Sequence, residues 1–313
     1  MAAKWQPPML AQLLRLPEER STLEDAEWIY ERKLDGLRCL ATRSDTEVQL
    51  WSRNHLSFSA RFPRVVSAVS RLQVGDAVLD GEIVAFDEAG RSSFTLLQQP
   101  GSDARPVYVV FDVLRLLGED TSRLALEERL QLLDRLLSSS PSQDVLGVER
   151  VSGDPADLLA RACRDGWEGL IAKRSGSDYR PGRSPDWRKL KCSASQELVI
   201  GGWTDPAGTR TGFGALLVGY YDDGGLVYAG KVGTGFSEES LRSLHAELRA
   251  RALASSPFVS DVRERGAHWV RPDMVAAVAF TEWTREGKLR HPRFEGLRPD
   301  KAASEVRREV RPG

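Results

Sequence analysis

Lysine is scarce in this chain. Of its 44 basic side chains only eight are lysines, Lys4, Lys33, Lys173, Lys189, Lys191, Lys231, Lys288 and Lys301, and arginine carries the rest. A guanidinium stays protonated at any accessible pH, whereas an ammonium can be tuned by its surroundings. Lysines kept against such a bias should therefore concentrate where guanidinium chemistry fails. Cysteine is scarcer still: Cys39, Cys163 and Cys192 are odd in number, far apart and without a C-x-x-C pair. That spacing argues against a disulfide framework or a zinc site, and three reduced thiols are expected. No run approaches about 18 consecutive apolar residues, and the first residues, MAAKWQPPML, hold no apolar export segment. Neither a membrane span nor secretion is indicated, and the cytoplasm is the expected compartment. A net charge of −1 excludes a uniformly basic nucleic-acid binder, for which a pI above about 9 is usual. Any polyanion must meet a local patch.

What is present is enough apolar material, 41% of 313 residues, for about two domains, with no repeat or low-complexity tract. Runs rich in Val, Ile, Trp and Tyr read as strands: WIYERKL, RCLATR, EVQLWSR, AVLDGEIVAF, VYVVFDVL, GLIAKR and WRKLK. Two helices interrupt them. Leu126, Leu130, Leu133 and Leu137 recur at helical spacing, and in DPADLLARACRDG Asp154 can cap, Pro155 fills the first turn and Gly166 stops it. After KLKCSASQ the pattern changes to glycine-punctuated strands, ELVIGGWT, GALLVGYYD and GLVYAGKVGTG, then a helix from Ser237 with Leu241, Leu244 and Leu248 as its buried stripe, then MVAAVAFTEW. Strands of this length around one helix predict a small barrel. The expected organisation is α+β over residues 1–192 and a barrel over 193–313.

The segment KLDGLR places Lys33 before the acidic turn Asp35-Gly36 and Arg38 after it. By itself this could be a solvated hairpin. Its company changes the reading: SRN with Arg53, LDGEIVAFD with Glu82, VYVVFDVL with Phe111, EGLIAKR with Glu168, Ile171 and Lys173, WRKLK with Lys189 and Lys191, and LRPDK with Asp300 and Lys301 follow in order. Each is an ordinary strand or charged edge when taken singly, but false-positive risks multiply across an ordered set. Lys189 and Lys191 stand at strand spacing, so both ammonium groups project from one face.

This series resembles the motifs of the covalent nucleotidyltransferases, the polynucleotide ligases and messenger-RNA capping enzymes. From PPMLA at Pro7 through YRPGRSPDW and YAGKVGTGF to LRPDKAASEV it is similar to the ligase module of bacterial ATP-dependent DNA ligases of non-homologous end joining. The resemblance implies an adenylyltransferase (ATP-grasp-like ligase) domain followed by an OB-fold β-barrel domain, with ATP and Mg2+ as cofactors and Mn2+ as a substitute. It implies Lys33 as the nucleophile, forming lysyl-AMP and then sealing nicked or broken duplex DNA. An unperturbed lysine has a pKa near about 10.4, so Lys33 needs activation, expected from crowding by Lys189 and Lys191, from partial burial and from the positive charge of a bound metal.

On the same resemblance Glu168, and with it Asp35, would serve the metal, while Lys189 and Lys191 clamp the α-phosphate and Lys173 lies near the reacting phosphate. Phe111 and Ile171 would sandwich the purine, Glu31 read its amino group and Glu82 hold the ribose. Arg38 and Arg53 would meet the nick phosphate and nucleotide sugar, and Asp300 and Lys301 close over the β and γ phosphates. A monomer in the cytoplasm, associated with the nucleoid, is expected, served by a Ku-type end-binding protein and a repair polymerase. An RNA ligase, a capping-type nucleotidyltransferase and a stand-alone repair ligase share the lysyl-nucleotide intermediate and are the alternatives. NAD-dependent ligases are disfavoured by the absence of a cysteine cluster and by the short stretch before Lys33.

Overall fold

The computed structural model describes residues 5–16, 19–24, 26–98, 105–192, 194–206, 211–284 and 286–309. Lys4 and Ser193 lie outside them. The chain divides into two compact units, Met1–Cys192 and Ser193–Gly313.

In the first unit the strands are β1 (Met9–Leu13), β2 (Trp28–Arg32), β3 (Leu37–Arg43), β4 (Val48–Ser52), β5 (Ala77–Val84), β6 (Val107–Leu116), β7 (Glu119–Asp120), β8 (Val145–Gly147), β9 (Arg150–Val151), β10 (Gly169–Arg174) and β11 (Gly182–Lys191). Its helices are α1 (Pro63–Ser70), α2 (Phe94–Gln98), α3 (Leu126–Ser139) and α4 (Pro155–Arg164). The strands form two sheets. One runs β1-β11-β10-β2-β9; the other runs β4-β3-β5-β6-β7, with β8 beside β6.

Alternation of side chains along each strand decides how these sheets are used. The outer face of the second sheet carries Leu37, Cys39 and Ala41, which pack with Val65 and Val69 of α1 and with Leu126, Leu130, Leu133 and Leu136 of α3. The outer face of the first carries Tyr30, Leu170, Ala172 and Leu190, covered by Leu158 and Ala162 of α4. Between the sheets lies a third cluster in which Met9, Tyr179 and Trp187 meet Leu40, Val84, Val109 and Phe111. The unit is thus layered helix, sheet, sheet, helix, and its polar cradle opens between the two sheets.

The helical spacing of α3 is as the sequence predicts for Leu126, Leu130 and Leu133, but Leu136 is the fourth buried leucine and Leu137 is only partly covered. Asp154 caps α4 by accepting from Ala156 N at 2.9 Å and Asp157 N at 3.3 Å, and Gly166 leaves the helix at φ +75°. Helix α1 is absent from the sequence reading, because PRVVSAVS is short and its valines favour strands.

In the second unit β12 (Ala194–Thr204), β13 (Leu216–Asp222), β14 (Gly225–Val232), β15 (Ala252–Leu253), β16 (Ala267–Phe280) and β19 (Arg293–Leu297) form one sheet ordered β14-β13-β12-β16-β15, with β19 against β16. The short β17 (Glu282–Trp283) and β18 (Leu289–Arg290) pair separately. Helix α5 (Glu238–Arg249), capped by Ser237, buries Leu241, Leu244 and Leu248 against Leu198, Ile200 and Leu216. MVAAVAFTEW covers only the later part of β16, which begins at Ala267 and runs through Pro272.

The expectation of three reduced thiols is corrected. Cys163 and Cys192 are joined as a disulfide, and only Cys39 is free among the described cysteines. Sequence distance misled here: α4 packs on β10, β10 pairs with β11, and the end of α4 meets the end of β11 with the two Cα atoms 5.2 Å apart. A cross-link over a separation of 29 residues stabilises by about 3 to 4 kcal/mol on the chain-entropy account. Reduction, or Cys163→Ser, is therefore expected to lower the thermal midpoint of this unit by roughly 2 to 4 °C per kcal/mol lost. Calorimetry with and without a thiol reductant checks this, and coincident transitions would mean that the two thiols are not joined in solution.

Candidate active site

Strand β10 sits between β2 and β11, and its register sets out the site in rows. Ile171 lies opposite Glu31 on β2 and Lys189 on β11, while Lys173 lies opposite Ile29 and Trp187. Lys33 follows β2 directly, its N–H donating to Gly169 O at 3.0 Å, and Gly169 lies opposite Lys191. Partners directly opposite share a face, as do residues two apart. Lys33 and Lys191, Glu31 with Ile171 and Lys189, and Lys173 with Trp187 therefore line the inner face in three successive rows. Gly169 makes this pairing possible: it takes φ +146°, and a Cβ there would lie 1.9 Å from Leu190 O.

At the first row Lys33 is ion-paired with Glu168. The backbone of Glu168 is held in turn, its carbonyl accepting from Cys192 N at 3.1 Å. Burial works against the charged form of Lys33, yet the carboxylates of Glu168, Glu82 and Asp35 outweigh it, and the pKa of Lys33 is raised. The groups that act most strongly in favour of the charged form of Lys33 are thus acids, which the sequence pattern alone did not bring together. Glu82 Oε1 accepts from Gly36 N at 3.0 Å, and Gly36 has no room for a side chain, since a Cβ would lie 2.3 Å from Ile83 O. Asp35 Oδ2 accepts from Phe94 N at 3.0 Å, and Asp35 N donates to Ser92 Oγ at 3.0 Å. Asp35 thus fastens the turn to the start of α2, a different task from the metal role expected of it.

A buried pair links the second and third rows. Lys173 and Glu31, 1% and 2% exposed, lie 2.7 Å apart; the ammonium also donates to Phe111 O at 2.9 Å and lies 4.6 Å and 4.3 Å from the ring centroids of Phe111 and Trp187. Burial raises the Glu31 carboxyl above its usual range, against the opposing pull of Lys173. Its Oε1 is buried with no hydrogen-bond partner among the described residues. Strand β10 carries Lys173 to the far row from Lys33, where it pairs with Glu31. Ile171, in the row between Lys33 and Lys173, is partly exposed on the same face.

Arg38 is not an open fork. Its Nε and Nη2 donate to Asp80 Oδ1 and Oδ2 at 2.6 and 2.5 Å, and its guanidinium lies 4.5 Å from the Phe111 centroid. Asp80, fully buried, was missed from sequence although it precedes Glu82 by one strand period, a charged position in an otherwise apolar run. Behind Phe111, Asp112 is held by Arg129 of α3 at 2.7 and 2.9 Å, both side chains fully buried. Arg53 lies apart, in the turn after β4, two residues before His55, which takes φ +61° and stacks on Trp5 with centroids 4.3 Å apart.

In the second unit the LRPDK segment is built around Arg298, which sequence reasoning passed over. Its Nε and Nη2 donate to Asp300 at 2.9 Å each, and Glu197 approaches Arg298 at 3.7 Å and Lys301 at 3.3 Å. Asp300, 3% exposed, is thus a carboxylate that aims a guanidinium.

Magnesium is usually held by one or two protein carboxylates, with phosphate oxygens and water completing the shell. Glu168, partly exposed and paired with the nucleophile candidate, suits that donor set, whereas Asp35 has a carboxylate oxygen engaged by the backbone.

Two family models match this chain: the ATP dependent DNA ligase domain over residues 8–191 and the ATP dependent DNA ligase C terminal region over 209–301. It is 42% identical to the multifunctional non-homologous end joining protein LigD of Pseudomonas aeruginosa, covering 97% of this chain and 36% of that protein. It is 39% identical to the LigD protein of Mycobacterium tuberculosis H37Rv, covering 96% of this chain and 40% of that protein. The chain thus spans two fifths or less of these two curated relatives. A solved mycobacterial DNA ligase D complexed with ATP and MES is 36% identical, with a TM-score of 0.70 and 96% of this chain aligned to 97% of that one. The chain belongs to the ATP-dependent DNA ligase family, and its two units are a nucleotidyltransferase domain and a C-terminal OB-fold domain.

Removing the cation from the buried pair strands a charge. Lys173→Met leaves Glu31 in an apolar setting and is expected to cost about 3 to 5 kcal/mol, read from the urea midpoint. A loss below about 1 kcal/mol would mean that solvent reaches Glu31 and that the pair is not the buried contact described.

Proposed function

We propose that this chain is the ligase module of a DNA end-joining enzyme, using ATP to form a lysyl-AMP intermediate on Lys33 and then sealing a nick or break in duplex DNA. The observation that carries this is the ordered inner face: a lysine held by a carboxylate at one end, two further ammonium groups along it, and beyond the first row an unsatisfied acceptor, Glu31 Oε1, on a carboxylate paired with the Lys173 that packs on Phe111. An adenine amino group donates a hydrogen bond of the kind Glu31 Oε1 lacks. Phe111 and Ile171 supply apolar contacts for the two faces of the base, and Glu82 and Arg53 serve the sugar and the DNA phosphate.

In the first step the Lys33 amine attacks the α-phosphorus of ATP. Lys33 first gives up one proton to become the neutral amine; a nitrogen–phosphorus bond then forms, the bond to pyrophosphate breaks, and a second proton leaves the nitrogen. Lys189 and Lys191 bear on the α-phosphate, where fixed charge is worth most because it needs no reorganisation. Magnesium, which Glu168 would hold, would supply neutralisation of the phosphate charge. Lys33 must release Glu168 before it can attack. In the second step AMP passes to the 5′ phosphate of the DNA, and in the third a 3′ hydroxyl displaces AMP. Asp300 aims Arg298, and with Lys301 they serve the departing pyrophosphate. A Ku-type end-binding partner would raise the local concentration at a break into the millimolar range by tethering, and a repair polymerase would prepare the ends.

Incubation with α-labelled ATP and magnesium, followed by nicked duplex, tests the reading: label should enter the protein and then leave as AMP. Lys33→Arg keeps a cation for Glu168 but offers no free amine, so labelling should vanish while the thermal midpoint stays within a few degrees. Label retained on that variant would move the nucleophile elsewhere. Asp300→Ala should slow lysyl-AMP formation by about a hundredfold, the order seen when one preorganised donor is lost, and still seal a nick already carrying AMP on its 5′ phosphate. Equal loss in both assays would assign LRPDK to DNA binding or to the fold.

A further inference from the structure

Tyr179 lies in the loop between β10 and β11, 4% exposed, and its hydroxyl stands at a junction. It donates to Asp80 Oδ2 at 2.6 Å and accepts from Met9 N at 2.8 Å, which ties β1 to β5 through one oxygen. Asp80 has no exposure and receives both Nε and Nη2 of Arg38. Arg38 Nη2 also reaches Met9 O at 3.2 Å, so Met9 is held by its N–H and its carbonyl within the same small network. Arg38 in turn lies over the rings of Phe111 and Trp187, 4.5 and 5.6 Å from their centroids.

The loop itself is anchored independently. Tyr179 N donates to Ser122 O at 2.7 Å, and the buried Arg129 donates to Ser177 O at 2.9 Å while gripping Asp112, the residue after Phe111. The Tyr179 ring meets Trp187 edge to face at 5.8 Å. The ring and backbone of Tyr179 are therefore held by contacts that do not involve its hydroxyl. What the hydroxyl adds is a third hydrogen bond to Asp80, and a carboxylate with a bidentate partner plus a third donor has little freedom to rotate. Burial and the Asp80 carboxylate both raise the Tyr179 pKa well above its ordinary value, so the hydroxyl remains a donor throughout the working range.

We propose that Tyr179 is a positioning residue for the base end of the site: through Asp80 it fixes the plane of Arg38, and Arg38 fixes the tilt of Phe111 against an incoming purine. This rests on the reading of Phe111 as a purine contact. The network is centred on Phe111 and Trp187; Trp187 stands opposite Lys173, two rows from Lys33, and the ion pair of Lys33 is with Glu168, outside the network. Its loss should therefore weaken nucleotide binding and leave the phosphoryl-transfer step nearly intact.

The test is the rate of lysyl-AMP formation against ATP concentration for the wild type and Tyr179→Phe, which removes one oxygen and retains the ring. The expected result is a KM for ATP raised about tenfold, the value of one charge-assisted hydrogen bond at about 1.5 kcal/mol, with the rate at saturating ATP within about twofold and the thermal midpoint within a few degrees. A merely structural hydroxyl would lower the midpoint or the active fraction and leave KM unchanged, and that result overturns the proposal. If Tyr179 acts through Asp80, Asp80→Asn combined with Tyr179→Phe raises KM no further than the more damaging single change; independent, multiplying effects also overturn it. Should Asp80→Asn fail to fold, the split between KM and maximal rate in Tyr179→Phe decides alone. A wild-type protein that takes no label would sink the ligase reading, whereas labelling with an unchanged KM in Tyr179→Phe sinks only this inference.

Discussion

The pairing of β10 between β2 and β11 is the constraint on which the site depends. Side chains alternate along a strand, so a slip of β10 by one residue would turn Ile171 and Lys173 outward and bring Leu170 and Ala172 into the cradle, breaking the rows they form with β2 and β11. Two unrelated devices hold the register. Gly169 admits a backbone approach that any side chain would block, and Tyr30, Leu170, Ala172 and Leu190 on the opposite face are locked under α4. The apolar face thus decides where the polar face points. A cluster of like charges, which could not organise itself, is organised by the core behind it.

The walls of the cradle contain three ion pairs, two of them fully buried, Glu31 with Lys173 and Asp112 with Arg129, and one whose acid alone is fully buried, Asp80 with Arg38. Pairs of this kind rarely stabilise a fold more than apolar side chains of the same volume would, because both ions lose hydration. Their geometry is another matter. Each is a salt bridge between residues far apart in sequence, and each touches Phe111 or its neighbours, so the three together leave that ring few alternatives.

Much of this was legible beforehand, for a physical reason. Strand periodicity and the rarity of lysine are local properties of the chain, and they located the inner-face lysines, the outer leucines and the cap at Asp154. Long-range proximity left no such mark. Nothing in the sequence signals that Cys163 reaches Cys192, that Tyr179 reaches Met9 across 170 residues, or that Lys173 is drawn to Glu31, two rows from Lys33. The character of the Lys33 environment was only half legible for the same cause. The neighbouring lysines are visible as a pattern in WRKLK, whereas Glu168, Glu82 and Asp35 converge on Lys33 only through the fold.

The ion pair of Lys33 with Glu168 also bears on chemistry that the protein must avoid. A buried free amine is a good nucleophile for any small electrophile that finds it, an aldehyde or an activated acyl group as readily as a nucleotide. Held as an ammonium against a carboxylate, Lys33 has no lone pair to offer. Reactivity then arises only when a ligand rearranges the charges around the pair. On the reading of Lys33 as the nucleophile, selectivity would begin with the idle state: a small electrophile that leaves the pair with Glu168 in place would meet an ammonium and not an amine.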